Sequence, residues 1–565
     1  MSKDALIKGS IIYNDISYDK DDIISKSNKM YNLLCKNNNI TNETRILVAL
    51  PRTEKLLVAD IMAFKYCITF INIDLSMPFE RIRYIIEDAK VDFILTNKEN
   101  EKIFEQYSTV CVDDYEEESS ALKSAQCNEN EVAYILYTSG TTGKPKGVEV
   151  YRKGLLNFCD AMEAVIDFSR VGKIACFTNQ TFDIFFLETI FSLLYGLNIV
   201  LADETVMKNP KLMIDLVDRY NIDSLQLTPS RIRMMSLVDK ELTFLKNVKV
   251  LMIGGEKFPE ELLEEMLKYD AIDIYNMYGP TETTIWSTVS KIEKGIKQVD
   301  IGKPILNTTV FIIDGDLKEK ENGEIGEIAI GGSGIAKGYV NNEILTKEKF
   351  ITLENGEYVY RTGDLGKISE NGNIECFGRT DTQIKINGYR VELDEIDAVL
   401  NKSGMVESTC TCFDEKKNTI ITYYVEKTEV KLGELRKYLS EYLPTYMLPQ
   451  SYVKVDELEY TYSGKIDKKA LLEKYKNAQA TDMSEEDDNQ EELINIIKEA
   501  VKDNQDITKE TVLADLGIDS ITFISLIIEI EDRYDIEFDD EKMMIEQYKT
   551  IGDLIIYIKE SIDNN

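Results

Sequence analysis

The sequence predicts a multidomain α/β protein, and three observations support this fold class. At 565 residues, the chain is too long for a single hydrophobic core. From about Lys173 to Met277, short apolar runs alternate with segments of helical periodicity, which is the pattern of a doubly wound parallel sheet. The residues after this region divide into a Gly-rich β region, a mixed α+β region and a short helical tail.

Five apolar runs in the alternating region are predicted strands: KIACF, NIVLA, DSLQLT, VKVLMIGG and DIYNM. The segments between them are predicted helices: FDIFFLETIFSLL, NPKLMIDLVDRY, PSRIRMMSLV and PEELLEEMLKY. The second helix has Asn209 as its expected N-cap and Pro210 in its first turn, where the N–H that proline lacks is not needed. Gly-rich turns and short alternating strands from Ile325 to Gly338 then indicate a smaller β unit.

Changes in composition and periodicity predict three domain boundaries. We expect a large core over residues 1–380, a small α+β subdomain over 381–475, a linker over 476–488 and a helical domain over 489–565. The stretch KNAQATDMSEEDDNQ is polar, acidic and without periodicity, as a linker should be. The last region is predicted to be a helical bundle, because two apolar stripes have helical spacing. The stripes are Leu493, Ile496, Ile497, Ala500 and Val501, and Ile521, Ile524 and Ile528.

Charge and hydropathy disfavour several classes of protein. The 101 acidic and 66 basic residues give a formal charge of −35, which repels nucleic acid and anionic lipid. The longest apolar stretch, Phe185–Ala202, is interrupted by polar residues, so no membrane span is predicted. The first residues lack a secretion signal, and the nine cysteines form no CxxC pair. Reduced thiols and a cytoplasmic location are therefore expected.

The absence of histidine restricts the chemistry further. It excludes Ser-His-Asp and Cys-His catalysis, histidine-ligated metal sites and imidazole as a general base. Any reaction must therefore use carboxylates, lysines, hydroxyls and bound cofactors.

The stretch YTSGTTGKPKG, Tyr137–Gly147, has the composition of a phosphate-binding loop. A Walker loop requires four residues between its glycines and a Ser or Thr after the lysine. Here only two residues separate Gly140 from Gly143, and Pro145 follows Lys144, so this is not a Walker loop. Its backbone N–H groups, hydroxyls and one ammonium can still enclose a polyphosphate. A polar linker is the alternative from composition alone.

Four further motifs follow this loop: NMYGPTETT (276–284), YRTGDLG (360–366), GRTDTQIKINGYRVELDEID (378–397) and YSGKIDKK (462–469). Together the five motifs resemble the adenylation domains of nonribosomal peptide synthetases, within the adenylate-forming superfamily. The stretch LADLGIDSITFISL (513–526) resembles the phosphopantetheine site of a peptidyl carrier protein. The resemblance implies a large adenylate-forming core of doubly wound sheets with a small β-barrel, a small α+β C-terminal subdomain and a four-helix-bundle carrier domain.

The resemblance implies three cofactors, ATP, Mg²⁺ and 4′-phosphopantetheine. Glu282 would ligate Mg²⁺, Lys465 would bridge the substrate carboxylate and the α-phosphate, and Ser520 would carry the phosphopantetheine. Asp381 would be the hinge of the C-terminal subdomain. The implied ATP-binding residues are Thr138, Ser139, Gly140, Thr141, Thr142, Gly143, Lys144, Asn276, Tyr278, Gly279, Thr281, Asp364 and Arg379. This chain has Arg152 where many relatives have a histidine, and Cys376 where a tyrosine is frequent.

The resemblance also implies an amino-acid substrate, because an aspartate at the position of Asp183 pairs with the substrate ammonium in this family. The implied pocket is Asp183, Ile184, Leu187, Gln226, Met252, Gly254, Met277, Ile285, Trp286 and Lys465. This set resembles the glycine-activating signature, with methionine replacing leucine at two positions. Large side chains would fill the space that a substrate side chain needs. Alanine is the expected competitor, because one methylene changes binding by only about 1–3 kcal/mol.

The function implied is the activation of glycine as glycyl-AMP and its transfer to the chain's own carrier domain. No HHxxxDG condensation motif is possible without histidine, so the thioester would be used in trans. The implied partners are a phosphopantetheinyl transferase, a downstream condensing or modifying enzyme and possibly a small MbtH-type accessory protein. Two alternatives remain: a D-alanine carrier-protein ligase, and an inactive scaffold that only presents its carrier domain.

Overall fold

The structure of the protein is a computed structural model. It describes residues 7–36, 38–119, 127–140, 143–269, 271–296, 298–386, 388–414, 419–427, 430, 432–459, 466–476, 496–497, 507–509, 511–516, 518, 520–534, 536, 538 and 540–563.

The strands in chain order are β1 (Ser10–Tyr13), β2 (Ile16–Tyr18), β3 (Arg45–Ala49), β4 (Thr69–Asn72), β5 (Phe93–Thr96), β6 (Thr109–Cys111), β7 (Val132–Thr138), β8 (Lys146–Tyr151), β9 (Lys173–Cys176), β10 (Asn198–Leu201), β11 (Ser224–Leu227), β12 (Val250–Gly254), β13 (Asp273–Tyr278), β14 (Thr288–Lys291), β15 (Lys303–Pro304), β16 (Thr308–Ile313), β17 (Gly326–Gly332), β18 (Gly338–Tyr339), β19 (Phe350–Thr352), β20 (Tyr358–Ile368), β21 (Ile374–Arg379), β22 (Gln383–Ile386), β23 (Tyr389–Glu392), β24 (Val406–Asp414), β25 (Thr419–Glu426) and β26 (Ser451–Lys454).

The α-helices are α1 (Lys20–Cys35), α2 (Glu54–Tyr66), α3 (Phe79–Ala89), α4 (Arg152–Val165), α5 (Ser192–Tyr195), α6 (Glu204–Lys208), α7 (Pro210–Arg219), α8 (Pro229–Val238), α9 (Glu260–Met266), α10 (Glu343–Lys349), α11 (Leu393–Lys402), α12 (Leu432–Ser440), α13 (Lys468–Lys476), α14 (Ser520–Tyr534) and α15 (Ile551–Asp563). Among the described residues, no helix is long and apolar enough to cross a bilayer.

A nine-stranded sheet confirms the predicted doubly wound region. Its strand order is β15-β14-β13-β12-β11-β9-β10-β1-β2, and the five predicted strands, β9 to β13, pair in parallel. Helices α7, α8 and α9 lie where the sequence predicts them. The Asn209 side chain accepts hydrogen bonds from the backbone N–H groups of Lys211 and Leu212, which confirms the predicted cap.

The first predicted helix of this region differs from the expectation. A π-helical turn over Leu187–Phe191 precedes the short α5, in place of one continuous α-helix. The Ser192 hydroxyl donates to the carbonyl of Leu187, five residues earlier, at 2.8 Å. This bond satisfies a carbonyl that the wider turn would otherwise leave unpaired. The wide turn follows Asp183, and π-turns are frequent at functional sites.

A second, seven-stranded sheet has the order β18-β8-β7-β4-β3-β5-β6. The phosphate-loop motif connects β7 and β8, which pair antiparallel. The motif is therefore the turn of a hairpin, and not the strand-to-helix turn of a Walker loop. The largest buried apolar cluster joins residues of both sheets, such as Ile46 of β3 and Ile199 of β10.

The small β unit is an antiparallel sheet of β16, β17, β20, β19 and β21. The long β20 pairs with β19 along its first half and with β21 along its second. The pairings of the described strands do not close this sheet, so the expected barrel is an open sheet here. The region assigned to the C-terminal subdomain contains the β22–β23 hairpin, α11 and a three-stranded sheet of β24, β25 and β26.

The tail contains α14 and α15 around a buried apolar cluster that includes Ile496, Ile497 and Ile524. Helix α14 contacts α8 of the large core. The linker beyond residue 476, Leu493, Ala500 and Val501 lie outside the described residues, as do the side chains of Ile521 and Ile528. The four-helix arrangement therefore remains a prediction.

Cys67 and Cys127 form a disulfide, with their Cα atoms 5.6 Å apart. The expectation that all cysteines are reduced is therefore wrong for this pair. The two residues are 60 positions apart in sequence, and sequence spacing alone does not reveal such a pair. Seven cysteines remain free, including the buried Cys410 and Cys412 of β24.

Candidate active site

The phosphate loop is in contact with the C-terminal subdomain. The backbone N–H of Gly140 donates to Oε2 of Glu395 at 2.9 Å, and the Ser139 hydroxyl donates to the carbonyl of Arg390 at 2.9 Å. Gly143 has φ +74°, and a Cβ there would lie 2.6 Å from Cβ of Ala398. The loop therefore needs glycine at this position for its backbone conformation and for its close approach to α11.

Two lysines of this motif have different surroundings. The exposed Lys144, the predicted phosphate ligand, has its ammonium 5.2 Å from the centre of the Tyr84 ring. Lys146, two residues later on β8, lies 3.8 Å from Oε1 of Glu282 instead. Burial lowers the pKa of Lys146 to about 8. The structure thus brings Lys146, which the sequence analysis did not single out, to the centre of the site.

Glu282, the predicted Mg²⁺ ligand, is fully buried, and both of its oxygens have partners. Arg390 Nη1 donates to Oε2 at 2.9 Å, and the Tyr339 hydroxyl donates to Oε1 at 2.8 Å. Burial by itself would raise the pKa of Glu282. The cations of Arg390 and Lys146 outweigh this effect and hold that pKa at about 2.

The residues expected to bind the adenosine are also brought together. The Tyr278 hydroxyl donates to Oδ2 of Asp364 at 2.5 Å, and Arg379 Nη1 donates to Oδ1 at 3.0 Å. The Asn276 amide donates to the carbonyl of Asp300 at 2.7 Å. The ammonium of Lys385, on β22, lies 5.8 Å from the centre of the Tyr278 ring. In this arrangement, a charged side chain of the C-terminal subdomain therefore lies near the expected adenine-stacking ring.

The turn after Tyr278 brings the magnesium ligand and the pocket close together. Gly279 lies against the backbone of the pocket, because a Cβ there would be 2.4 Å from the carbonyl oxygen of Ile285. Thr281 begins the short 3-10 turn that carries Glu282. The motif therefore places Glu282 directly beside the pocket residues that follow it.

The predicted hinge residue, Asp381, lies between β21 and β22. Arg379 donates to both of its oxygens at 2.7 Å, and the backbone N–H of Gln383 donates to Oδ1 at 3.2 Å. Asp381 thus links the last strand of the core to the first strand of the C-terminal subdomain. The role of Asp381 as the hinge stays a prediction.

The predicted substrate pocket lies at the carboxyl ends of β11, β12 and β13. Gln226 pairs with Met252 across two of these strands, and Gly254 pairs with Met277 across the next two. Ligands of open α/β sheets bind at this edge. The pocket side chains, Leu187, Met252, Met277, Ile285 and Trp286, are all buried, and Ile184 is partly buried.

Three residues of the predicted pocket carry buried polar atoms without partners. Among the described residues, Oδ2 of Asp183, Oε1 of Gln226 and Nε1 of Trp286 are buried and have no hydrogen-bond partner. Burial raises the pKa of Asp183 to about 6, although hydrogen bonds from Thr281 and from the backbone of Ile285 partly oppose this shift. Leaving a buried polar atom unpaired costs about 1–3 kcal/mol, so these atoms are suited to a polar ligand.

Strained backbone positions shape the pocket floor. Thr284 and Ile285 have φ values of +65° and +66°, which are unfavourable for β-branched residues. Such strain is common at ligand sites, where the surrounding structure maintains it. The next residue, Trp286, packs so tightly on Gly254 that a Cβ there would lie 2.7 Å from the indole. The pocket is therefore narrow at Gly254.

Four predicted site residues lie wholly or partly outside the residues that the structure describes. Thr141, Thr142 and Lys465 are outside the described residues, and Ser520 begins α14 but its side chain is also outside them. Arg152 is buried, donates to the carbonyl of Phe64 and lies over that ring. Burial lowers the pKa of Arg152 to about 10.

A magnesium ion does not fit the present arrangement of Glu282. The described residues contain no cluster of three or more Cys, Asp or Glu side chains that could hold a metal. Mg²⁺ is commonly bound by one or two carboxylates together with substrate phosphates. Here, however, Arg390 and Tyr339 occupy both Glu282 oxygens, so the guanidinium would have to leave before the carboxylate could bind a cation.

The sequence analysis did not single out Arg390, Glu395, Arg81 or Tyr339. Arg390 and Glu395 lie within the quoted motif GRTDTQIKINGYRVELDEID, so the motif itself was a signal. Arg81 contacts Glu395 from a position 314 residues earlier in the chain. No local pattern indicates that contact.

Comparisons with known proteins show the family and the fold of the chain. Residues 12–340 match the family model described as AMP-binding enzyme, and residues 491–558 match the one described as phosphopantetheine attachment site. The dimodular nonribosomal peptide synthase of Bacillus subtilis (strain 168) is 34% identical over 481 residues, which are 82% of this chain and 20% of that protein. This chain spans a fifth or less of the first four curated relatives that it matches.

Two solved structures share the fold over 98% of this chain. A holo NRPS protein that contains adenylation and PCP domains, bound to a vinylsulfonamide inhibitor, has a TM-score of 0.81 at 21% identity, over 94% of its own chain. A four-domain nonribosomal peptide synthetase bound to AMP and glycine has a TM-score of 0.60 at 25% identity, over 42% of its own chain. This chain therefore belongs to the AMP-binding enzyme family and carries a phosphopantetheine attachment region after its adenylate-forming part.

Proposed function

We propose that the protein activates glycine with ATP and transfers it to its own carrier domain. The observation that carries the amino-acid assignment is the buried Asp183, whose Oδ2 lacks a partner in an otherwise apolar pocket. The ammonium of an amino acid has the opposite charge to this carboxylate, and both groups would be desolvated together. A fatty or aryl acid would leave Oδ2 of that carboxylate buried and without a partner.

The shape of the pocket supports glycine among the amino acids. Gly254, Trp286 and Met277 approach one another so closely that even one added methyl at residue 254 would clash. Met252 and Leu187 are fully buried beside them. These side chains would fill the volume that a substrate side chain needs. One of the structural neighbours was solved with AMP and glycine, which is compatible with this proposal.

The first reaction does not need a general base, so a histidine-free chain can perform it. The substrate carboxylate is ionised at neutral pH, and one of its oxygens attacks the α-phosphorus of ATP as pyrophosphate leaves. The protein would position the reactants in line and neutralise charge. Lys465 would contact both the carboxylate and the α-phosphate, and Glu282 would be able to hold Mg²⁺ only after Arg390 has left its oxygen.

The second reaction would use Ser520 as the attachment point of phosphopantetheine, which supplies a thiol on a flexible arm. Ser520 is the first residue of α14, where unpaired N–H groups and the helix dipole favour a phosphodiester. Helix α14 contacts α8 of the core. We infer that a phosphopantetheinyl transferase installs the arm and that a downstream condensing or modifying enzyme takes the aminoacyl group in trans. A small MbtH-type protein remains a possible accessory partner.

The test is amino-acid-dependent exchange of labelled pyrophosphate into ATP, measured with a panel of amino acids. Glycine should give the highest rate. A preference for D-alanine would favour the carrier-protein ligase alternative, and the absence of exchange with every amino acid would favour the scaffold. A preference for a bulky amino acid would contradict the pocket assignment.

Ser520→Ala separates the two reactions. This variant should retain glycine-dependent exchange, but its intact mass should show neither phosphopantetheine nor glycine. Lys465→Ala is the complementary variant, and it should reduce exchange by about 10²–10³-fold while leaving the fold intact. Glycine retained as a thioester on the Ser520→Ala protein would contradict the carrier assignment.

A further inference from the structure

Two cysteines outside the candidate active site lie side by side on β24. Only one residue separates Cys410 from Cys412, so both side chains lie on the same face of the strand. Their Sγ atoms are 3.9 Å apart and hydrogen-bonded, and both residues are buried. They belong to an apolar cluster that also contains Leu471 of α13. The face of β24 that carries the two thiols therefore packs against α13.

The first residue of α13 is bonded to this part of β24. The Cys412 thiol donates to the carbonyl of Lys468 at 4.0 Å, and the Lys468 ammonium donates to the carbonyl of Thr411 at 3.2 Å. Ile466, two residues before the helix, packs against the same apolar cluster. Ile466 directly follows Lys465, the residue that the proposed function assigns to adenylation. The thiol pair therefore contacts the segment that begins at Lys465.

The surroundings of Cys412 favour its thiolate. The hydrogen bond from Cys410 lowers the pKa of Cys412, and the Lys468 ammonium acts in the same direction, although burial opposes both. The same hydrogen bond, together with burial, raises the pKa of Cys410. The thiolate is the form of cysteine that reacts with oxidants. Cys412 is therefore the member of the pair that reacts first.

We propose that Cys410 and Cys412 are a redox modification site, whose oxidation to a disulfide displaces the segment from Lys465 to Lys468 and stops adenylation. The effect on adenylation rests on the proposed function, whereas the formation of the disulfide does not. The oxidant is a peroxide. It is small, and it reaches the buried Cys412 when the start of α13 opens away from β24. The disulfide then maintains this opened arrangement.

The oxidation has two steps. The Cys412 thiolate attacks one oxygen of hydrogen peroxide, the O–O bond breaks, and a sulfenic acid forms as the hydroxide leaves with the thiol proton as water. Cys410 then attacks the Cys412 sulfur, the S–O bond breaks, and the second hydroxide leaves with the Cys410 proton as water. The two thiols thus lose two electrons, which reduce one peroxide to two waters.

The disulfide is not compatible with the present contact between β24 and α13. Two residues along an extended strand have Cα atoms about 6.6–6.8 Å apart, which is the upper end of the usual range for a disulfide. The strand must therefore bend, and among the described strands β24 pairs only with β25, so its other edge has no strand that resists bending. Cys412 also loses the proton that it donates to Lys468. A strained disulfide is easily reduced, so the modification is reversible.

The experiment uses the full-length chain before the phosphopantetheine arm is installed, so that the thiol of the arm does not react. The reduced protein is treated with hydrogen peroxide. Pyrophosphate exchange is measured before and after treatment, with the amino acid that gives the highest rate. Trypsin cleaves after Lys402 and Lys416, so one peptide, 403–416, contains both cysteines and no other cysteine. The mass of this peptide, without reduction, shows whether the thiols have lost two hydrogen atoms.

Two variants accompany the wild type. Cys412→Ala removes one member of the pair, and Cys159→Ala is the matched control, because it removes a buried free thiol from α4. In the wild type, we expect peptide 403–416 to become lighter by two hydrogen atoms. Exchange should fall by at least about tenfold, because Lys465 acts through its position. Dithiothreitol should reverse both changes. Cys412→Ala should retain most of its exchange after peroxide treatment, whereas Cys159→Ala should lose it as the wild type does.

Three outcomes would overturn the proposal. They are a wild-type peptide that keeps both thiols after treatment, an oxidised peptide with unchanged exchange, and an equal loss of exchange in Cys412→Ala. If Cys412→Ala does not fold, the first two outcomes still decide the question. Absence of exchange with every amino acid in the untreated wild type would instead contradict the proposed function, and the peptide mass would still test the disulfide.

Discussion

The predicted substrate pocket and the predicted phosphate site lie next to each other. They differ in whether their polar groups already have partners within the chain. The pocket is built by the large core, and it contains buried polar atoms without partners at Asp183, Gln226 and Trp286. At the phosphate site, by contrast, the key groups of Glu282 and Gly140 are already paired with residues of the C-terminal subdomain. The predicted pocket thus has polar atoms available for a ligand, whereas the groups of the predicted phosphate site are paired within the chain.

Under the proposed function, this difference would allow one site to support adenylation and then carrier loading. A pocket that keeps its shape can retain the amino acid throughout both reactions. In the phosphate site, groups of the protein would replace the phosphates once these have left. The site would therefore differ before and after pyrophosphate release. Conformational steps of this kind place different groups over the same substrate.

The largest expected effect is that of Asp183→Asn, which tests whether the pocket's charge is essential. The change preserves shape but removes the carboxylate expected to pair with the ammonium. Loss of one partner of a buried charge pair costs about 2–5 kcal/mol. We therefore expect kcat/KM for glycine-dependent exchange to fall about 10³-fold. Near wild-type exchange, with the protein shown to be folded by circular dichroism, would mean that Asp183 does not bind substrate.

Arg390→Met should affect the phosphate site more than the pocket. It removes the guanidinium from Glu282, so the contact between the C-terminal subdomain and the core loses a buried ion pair. We expect carrier loading to fall about 10²-fold, while the KM for glycine in exchange changes less than about threefold. Lys367→Met serves as the control, because it removes a cation that pairs with Glu375 on the surface of the small β unit. A parallel increase in the KM for glycine would show that the two regions are not separable.

Trp286→Ser tests whether the indole limits the size of the amino acid that the predicted pocket accepts. Removing the indole should open space beside Gly254 and raise activity with alanine or serine relative to glycine by about tenfold. Exchange assays with the three amino acids measure the ratio. Phosphate-site properties, such as the KM for ATP, should stay unchanged. A selectivity ratio equal to that of the wild type would place the specificity determinant elsewhere.

The smallest effect is a pH dependence that originates in the pocket. Burial raises the pKa of Asp183 to about 6, so this carboxyl becomes neutral as the pH falls through that value. Only the ionised form pairs with an ammonium. Because kcat/KM reports the free enzyme, it should fall about fourfold between pH 7 and pH 5.5. The residual activity of Asp183→Asn should not show this decline, and a decline of equal size in that variant would assign it to another group.

Much of the fold follows from local sequence patterns. The strands β9 to β13 and the helices α7 to α9 have clear periods and caps, so their positions could be predicted. The family resemblance predicted that Asp183 and Gln226 share a pocket with Met277. Gln226 and Met277 lie on parallel strands of one sheet, whereas Asp183 lies in the turn before Leu187–Phe191.

Other features depend on tertiary contacts. The contact of Arg81 with Glu395 joins residues 314 positions apart in the chain. The π-turn at Leu187–Phe191 has the same apolar pattern as an α-helix, so periodicity cannot distinguish them. The Cys67–Cys127 pairing and the positive φ of Ile285 likewise depend on neighbours that are distant in sequence.

The tryptophan of the pocket has an optical consequence. Trp286 is the only tryptophan among 565 residues, and it is 1% exposed beside Asp183 and Gly254. Excited at a wavelength where the 31 tyrosines do not absorb, the protein should emit from this one indole alone. A bound amino acid would change the polarity around the indole N–H, which has no partner among the described residues. The intrinsic fluorescence of the chain can therefore report occupancy of the pocket directly, without a label.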